Sequence, residues 1–286
     1  RQLLQPAFSR DLQDLLRRHP AIRPAQVEIE ILETSALEDL VQVSKVIDEC
    51  RAIGIRFSLD DFGTGYSSLS YLKRLPVDQL KIDRSFVSDM LDDPDDLAIL
   101  DGVIGLAAAF GRQVIAEGVE TDEHARMLLR LGCELGQGYG IARPMPGNEI
   151  ASWVRQWRPD ASWSAIAPVR RELLPLLYAV AEHRSWIKAS ESPATARADL
   201  LPLHQKCRFE AWWRSTASQL LPQESGLDEA EVLHDRVHRL IARCIAGEEE
   251  QDMQDSWSEL RTAVDDFIAG IFAILDASGK GQDGQR

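Results

Sequence analysis

The chain has 286 residues, with 32 lysines and arginines against 46 aspartates and glutamates, for a formal net charge of −14. That length accommodates one or two domains with substantial cores. The acidic balance makes a poor partner for duplex nucleic acid or an anionic membrane, and no apolar run is long enough to span a membrane or act as a signal peptide.

The first predicted element is a helix within residues 1–24, with Leu3, Leu4, Phe8, Leu12, Leu15 and Leu16 on one face and Pro20 and Pro24 closing it. A strand at 27–33 follows, then a helix at 37–53 ended by Gly54. Strand 55–60 runs into the Gly-rich DDFGTGYSSL, a short helix 67–74 leads through Pro76, and strand 78–83 follows. Helix 95–110 precedes strand 113–117, helix 122–131 precedes strand 134–138, and RPMPGNEI opens a last helix to about 157. Five strands alternating with helices predict a parallel sheet with right-handed crossovers. Beyond WRPDASWSAIAP the pattern is helical throughout, over 168–189, 196–217, 228–246 and 249–276. Short connections between four such helices predict an antiparallel bundle. The Gly-rich polar tail ASGKGQDGQR reads as disordered.

Nearly every strand ends on an acidic or amide group: Glu30 and Glu33, Asp60 and Asp61, Lys81 with Asp83, Glu117, and Gln137. In a parallel α/β sheet those ends converge on the face where active sites are built. Gathered carboxylates repel one another, and divalent metal relieves them. Any one acid alone, Asp83 or Glu120 for example, serves equally well as a solvated residue or helix cap. The combination of Asp60, Asp61, Lys81, Glu117 and Gln137 points to a metal-dependent hydrolase.

DDFGTGYSSL, LKIDRSFV, IAEGVET and GQGYGIARPMP, in this order and spacing, resemble the EAL domain, a bacterial phosphodiesterase that opens cyclic di-GMP to the linear dinucleotide. The resemblance covers residues 1 to about 157 and implies a modified (β/α)8 barrel of the TIM type with one antiparallel strand. It implies two Mg²⁺ or Mn²⁺ ions roughly 4 Å apart, suited to oxygen ligands. Glu30 would bind one ion, Asp60 would be shared, and Asp61 would complete the second site, with Asp83 a weaker metal candidate. Lys81 would hold the attacking water or a phosphate oxygen. Glu117 would act on the water as ligand or base, and Gln137 would position the site. Glu33 with Phe62, Gly63, Thr64 and Gly65 resembles the segment that orders the metals and joins a homodimer interface. The Glu-Ala-Leu motif itself and a metal-binding Asn are absent. Together with Arg1 in place of Met, this reads as a fragment beginning after the early strands, inactive as it stands, from an active parent.

The helical part holds His183, Cys207, His234 and His238. His234 and His238 stand at i and i+4, so both imidazoles project from one helix face, and zinc accepts nitrogen and sulfur ligands in a tetrahedron. Such a pair can equally be a solvated face, and Cys207 a small buried hydrophobe. HRSW, CRFEAWW and HDRVH resemble the CZB domain, a chemoreceptor zinc-binding four-helix bundle, over about 165–276. That resemblance implies one Zn²⁺ on the four residues. It departs at Glu210, where Gly is usual, and His204 is a reserve ligand. Cys50, Cys133 and Cys244 are scattered, which fits reduced thiols in a cytoplasmic protein.

The expected architecture is thus α/β, a partial (β/α)8 barrel at 1–158, a linker at 159–166, an all-α four-helix bundle at 167–276 and a tail at 277–286. The expected function is cyclic di-GMP hydrolysis by a cytoplasmic homodimer with a C-terminal zinc-binding regulatory domain. A silent cyclic di-GMP receptor is the alternative, and a bundle that only dimerises, with empty histidines, is a third.

Overall fold

The computed structural model describes residues 2–5, 7–64, 69–190, 207–217, 226–246 and 250–280. Gly65, His204 and the first part of the expected helix 196–217 lie outside the described residues. By internal contact the chain divides into two units. The first comprises Arg1–Ser88, Ile99–Leu128 and Cys133–Ser152, the second Asp89–Ala98, Leu129–Gly132 and Trp153–Arg286.

The first unit is built on five parallel strands, β1 (Glu28–Leu32), β2 (Arg56–Phe62), β3 (Gln79–Ile82), β4 (Gln113–Glu117) and β5 (Leu135–Gln137). Their order in the sheet is the order in the chain. Each strand adds beside the last, as the staves of a (β/α) barrel do, with no reversal of the doubly wound kind. Phe57, Leu59, Leu80 and Ile82 are fully enclosed, each contributing about 1.5–3 kcal/mol of burial. The helices in chain order are α1 (Phe8–Arg18), α2 (Glu33–Glu38), α3 (Leu40–Arg51), α4 (Leu69–Arg74), α5 (Arg84–Asp89), α6 (Pro94–Ala109), α7 (Asp122–Leu131) and α8 (Gly147–Gln156). In α3 the buried residues Val43, Val46, Ile47 and Cys50 recur at helical spacing against β2.

Two expectations change here, and the structure adds a third feature. The helix expected within 1–24 is the shorter α1, preceded by a 3-10 turn at Gln2–Leu4. The helix expected at 37–53 is two helices, because Asp39 caps a new start, its carboxylate accepting from Gln42 N at 3.0 Å. The third is α5, for which the sequence pattern carries no expectation: Asp83 Oδ1 accepts from Ser85 N at 2.9 Å and caps it.

In the second unit, α9 (Leu174–Ser190), α10 (Arg208–Trp212), α11 (Leu227–Ala246) and α12 (Glu250–Lys280) carry the core. Trp213–Ala217 continues α10 as a π turn. α11 packs along α12, and α9 meets both α12 and α10. Val237, Ile241 and Cys244 of α11 face an apolar seam of Leu260, Val264, Phe267 and Ile271 on α12. Residues 161–165 of the expected linker form a 3-10 turn capped by Asp160, which accepts from Ser162 N at 2.8 Å. The tail expected at 277–286 is corrected at its start: α12 runs on to Lys280, and Ser278 Oγ donates to Ile274 O at 2.9 Å. Among the described residues no helix is long and apolar enough to cross a membrane.

Candidate functional site

Strand pairing brings the acids together. Glu30 on β1 is level with Ser58 of β2, Leu32 with Asp60, and Glu117 with Gln137. Side chains two apart on a strand share a face, so Ser58 and Asp60 project alike, whereas Asp61 should point away. It does not. One extra residue of β2 is accommodated between the Leu59 and Phe62 pairings, and Asp61 takes φ 56°, the only positive φ at a non-glycine among the described residues. That bulge turns the second carboxylate back, and Asp60, Asp61 and Glu117 each present an oxygen within 4.8 Å of the others.

Lys81 holds the cluster. Its ammonium, on a side chain only 5% exposed, lies 2.8 Å from Glu30 Oε1, 2.9 Å from Asp60 Oδ1 and 2.5 Å from Glu117 Oε1. Burial pulls the amine down, but hydrogen bonds to Glu117, Glu30 and Asp60 outweigh it, and its pKa is raised. Burial raises Glu117 above the ordinary glutamate range despite the opposing bond to Lys81. Burial, then Asp60 and Asp83, raise Asp61. Gln137 Nε2 donates to Glu117 Oε1 at 2.9 Å and fixes its orientation.

The turn after Asp61 is pinned from below. Glu33 is 1% exposed, and its Oε2 accepts from Gly63 N at 3.0 Å. Thr64 Oγ1 donates to Asp61 O at 2.9 Å, Phe62 is buried, and a side chain on Gly63 would meet the Phe86 ring at 3.0 Å. Asp83 is not one of the three carboxylates that converge within 4.8 Å. Its Oδ1 accepts from both the amide and the hydroxyl of Ser85; burial acts to raise its pKa, yet those bonds leave it lowered. Four acids, Glu30, Asp60, Asp61 and Glu117, face one lysine, an all-oxygen donor set with negative charge to spare. Hard divalent cations fit it.

The second cluster lies wholly in the helical unit. His183 on α9 is fully buried, its Nδ1–H donating to Ala179 O at 2.7 Å, which fixes the tautomer and leaves Nε2 as the lone-pair donor. Cys207 stands immediately before α10, its Sγ 3.3 Å from His234 Nε2. The rings of His234 and His238 are 4.3 Å apart on α11. All four residues offer a ligand atom within 4.8 Å of the others. Trp186, Phe267 and Phe209 wall the cluster, with Trp186 4.2 Å from the His183 ring. Burial takes His183 down to about 3, so its imidazole is neutral, and pushes the Cys207 thiol up to about 12. Three nitrogens and one sulfur around tetrahedral zinc have ligand–ligand edges of about 3.4–3.6 Å, which the Cys207–His234 pair already approaches.

The family model of the EAL domain matches residues 1–144. The chain belongs to the EAL family. Over 143 residues it is 40% identical to the bifunctional diguanylate cyclase/cyclic di-GMP phosphodiesterase MucR of Pseudomonas aeruginosa, covering 50% of this chain and 21% of MucR. Over 136 residues it is 40% identical to the cyclic di-GMP phosphodiesterase NbdA of the same organism, covering 48% of this chain and 17% of NbdA. The EAL domain of Mycobacterium smegmatis DcpA superposes with a TM-score of 0.52 at 40% identity, covering 55% of this chain and 71% of DcpA's. A PaMucR phosphodiesterase in complex with c-di-GMP gives 0.50 at 38%, covering 52% and 60%. The chain spans about a fifth of the length of the curated relatives it matches.

Sequence reasoning on this EAL domain missed the left-handed Asp61, although two adjacent aspartates at a strand end followed by Gly63 signal a bulge. It also missed the Ala179 carbonyl, which stands one helical turn before His183 and could have been found by that spacing.

Proposed function

We propose that the protein is a phosphodiesterase that hydrolyses cyclic di-GMP to the linear dinucleotide. The observation that carries this reading is the group of Asp60, Asp61 and Glu117 gathered around Lys81 at the strand ends of an EAL domain. Glu30, Asp60 and Asp61 would hold two divalent ions, Mg²⁺ or Mn²⁺. When bound, these supply positive charge against the phosphodiester and make water more acidic. Glu117, oriented by Gln137, accepts the proton of the attacking water, and its raised pKa keeps it a competent base near neutrality. Lys81 places a permanent positive charge against the phosphate oxygens as charge builds on them. Glu33 and the turn at Phe62–Thr64 keep Asp61 in place, and we assign to this turn the contact of a homodimer.

The helical unit, by the same reasoning, is a CZB-type module holding one structural Zn²⁺ on His183, Cys207, His234 and His238. A neutral His183, the flanking rings of Trp186, Phe209 and Phe267, and four protein donors support a sensing or structural role. All four cysteines are free and buried, in keeping with a reducing, cytoplasmic setting.

The test is chromatographic turnover of cyclic di-GMP by the full-length protein with Mg²⁺ or Mn²⁺. Linear product, lost in Glu117→Gln, supports the hydrolase. Tight binding without turnover by the wild type moves the reading to a cyclic di-GMP receptor.

A further inference from the structure

The short helix α5 makes contacts that none of the roles above uses. It follows β3 directly, and the Asp83 carboxylate caps its start. Val87 in its middle is fully buried, and His124 Nε2 of α7 lies 3.3 Å from the Ser88 carbonyl oxygen, so the helix is fixed both by packing and near its end. Two of its residues reach the turns that carry the acidic cluster. A Cβ on Gly63 would meet Phe86 Cε2 at 3.0 Å and Cζ at 3.6 Å, so the ring stands where Gly63 has no side chain. A Cβ on Gly118 would meet Arg84 Cβ at 2.7 Å and Cα at 3.3 Å, so the residue after Glu117 lies against the first residue of α5.

Asp61 and Glu117 are two of the three carboxylates gathered in the cluster, and one six-residue helix packs against the turn that follows each of them. The Asp61 turn is the more demanding of the two. Asp61 takes φ 56° and Gly63 φ 103°, and left-handed backbone at an aspartate persists only where its surroundings over-determine it. Glu33 supplies one restraint, its carboxylate accepting from the Gly63 amide at 3.0 Å. The Phe86 ring supplies another by contact, since a gap of a fraction of an ångström already forfeits much of the attraction between packed atoms. Without the ring the turn has space into which it can relax.

We infer that Phe86 is a positioning residue for the metal site, its ring backing Gly63 so that Asp61 stays left-handed and its carboxylate meets Asp60 and Glu117. This rests on the phosphodiesterase reading and adds to it a residue that acts through Asp61. Once the ring is gone, the ordinary preference of an aspartate against left-handed backbone lowers the competent population about five- to thirtyfold. The apparent affinity for the cation that Asp61 completes falls by the same factor.

The experiment uses the full-length protein, with Mn²⁺ binding followed by electron paramagnetic resonance in the absence of substrate. In Phe86→Ala the weaker of two Mn²⁺ steps is expected to move about five- to thirtyfold to higher concentration while the tighter step stays in place. Phe86→Leu keeps part of the contact and should fall between, and it carries the test if the alanine variant does not fold. Turnover of cyclic di-GMP at limiting Mn²⁺ should fall with the weaker step and recover at saturating Mn²⁺, with KM for the dinucleotide little changed. Unchanged Mn²⁺ steps, or a loss of turnover that saturating Mn²⁺ does not restore, overturns the inference. Wild type that takes no second Mn²⁺ and does not cleave cyclic di-GMP overturns the phosphodiesterase reading itself, a result visible before any Phe86 variant is made.

Discussion

Lys81→Met tests the electrostatics of the acidic cluster most directly. Methionine fills much of the lysine stem, so packing is nearly preserved while the charge is lost. Three carboxylates then lose their shared partner. Glu30 is 53% exposed and water replaces the lost bond, at a cost of about 0–1 kcal/mol. Asp60 and Glu117 are 19% and 17% exposed, and removing one partner of a buried pair costs about 3–5 kcal/mol. Discounting for their remaining exposure, the variant should lose about 2–4 kcal/mol at pH 8. The carboxylates relieve the strain by taking up protons, and without Lys81 the pKa of Glu117, already raised by burial, rises further. The folded variant thus binds more protons than the folded wild type, so its deficit shrinks as pH falls. Urea unfolding of wild type and variant at pH 8 and pH 5, without divalent ions, measures this. Equal deficits at the two pH values would refute the cluster as the source of the cost.

Glu117→Gln should lower turnover at least a hundredfold while leaving cyclic di-GMP binding detectable by calorimetry, since a proton acceptor and not a binding group is removed. The acid limb of the kcat profile should lie above the ordinary glutamate range, because a base whose pKa is raised loses activity sooner as pH falls; a limb at or below that range speaks against Glu117 as the base. Glu33→Ala leaves the Gly63 amide without its carboxylate and should cost about 1–3 kcal/mol, with a parallel drop in turnover as Asp61 loses its support, read by thermal unfolding and initial rates. Cys207→Ser in untagged protein should reduce bound zinc from one per chain and lower the melting temperature of the helical unit; wild type that carries no zinc when purified in its presence ends the metal reading.

Much of this architecture was legible because short β-branched runs ending in acids alternate with amphipathic stretches, and parallel pairing then decides which ends meet. Glu30, Asp60, Glu117 and Gln137 follow from strand register alone. Asp83 was harder, since an aspartate before Arg-Ser-Phe reads equally as a metal ligand and as a helix cap; its Oδ1 makes the cap bonds to Ser85. The break between α2 and α3 turned on one capping side chain, Asp39, inside an otherwise continuous helical pattern. At the other end, Gly279 made residues 277–280 look like tail, although the helix of α12 takes them in. The histidine pair was visible from its i, i+4 spacing, but nothing in sequence spacing could report that α9 brings His183 to the same point.

Asp61 carries a wider consequence. An alternating strand would contribute one aspartate to the acidic face and send its neighbour to the opposite side, so the charge of the cluster depends on a single backbone angle. Left-handed geometry at a non-glycine residue is held against a cost of about 1–2 kcal/mol. Whatever loosens Glu33 or the Gly63 turn allows that residue to relax into an extended conformation and withdraws a carboxylate without breaking a strand or moving a helix. Any capacity for a second cation would in this sense be conformational, gained or lost while the composition of the site stays the same.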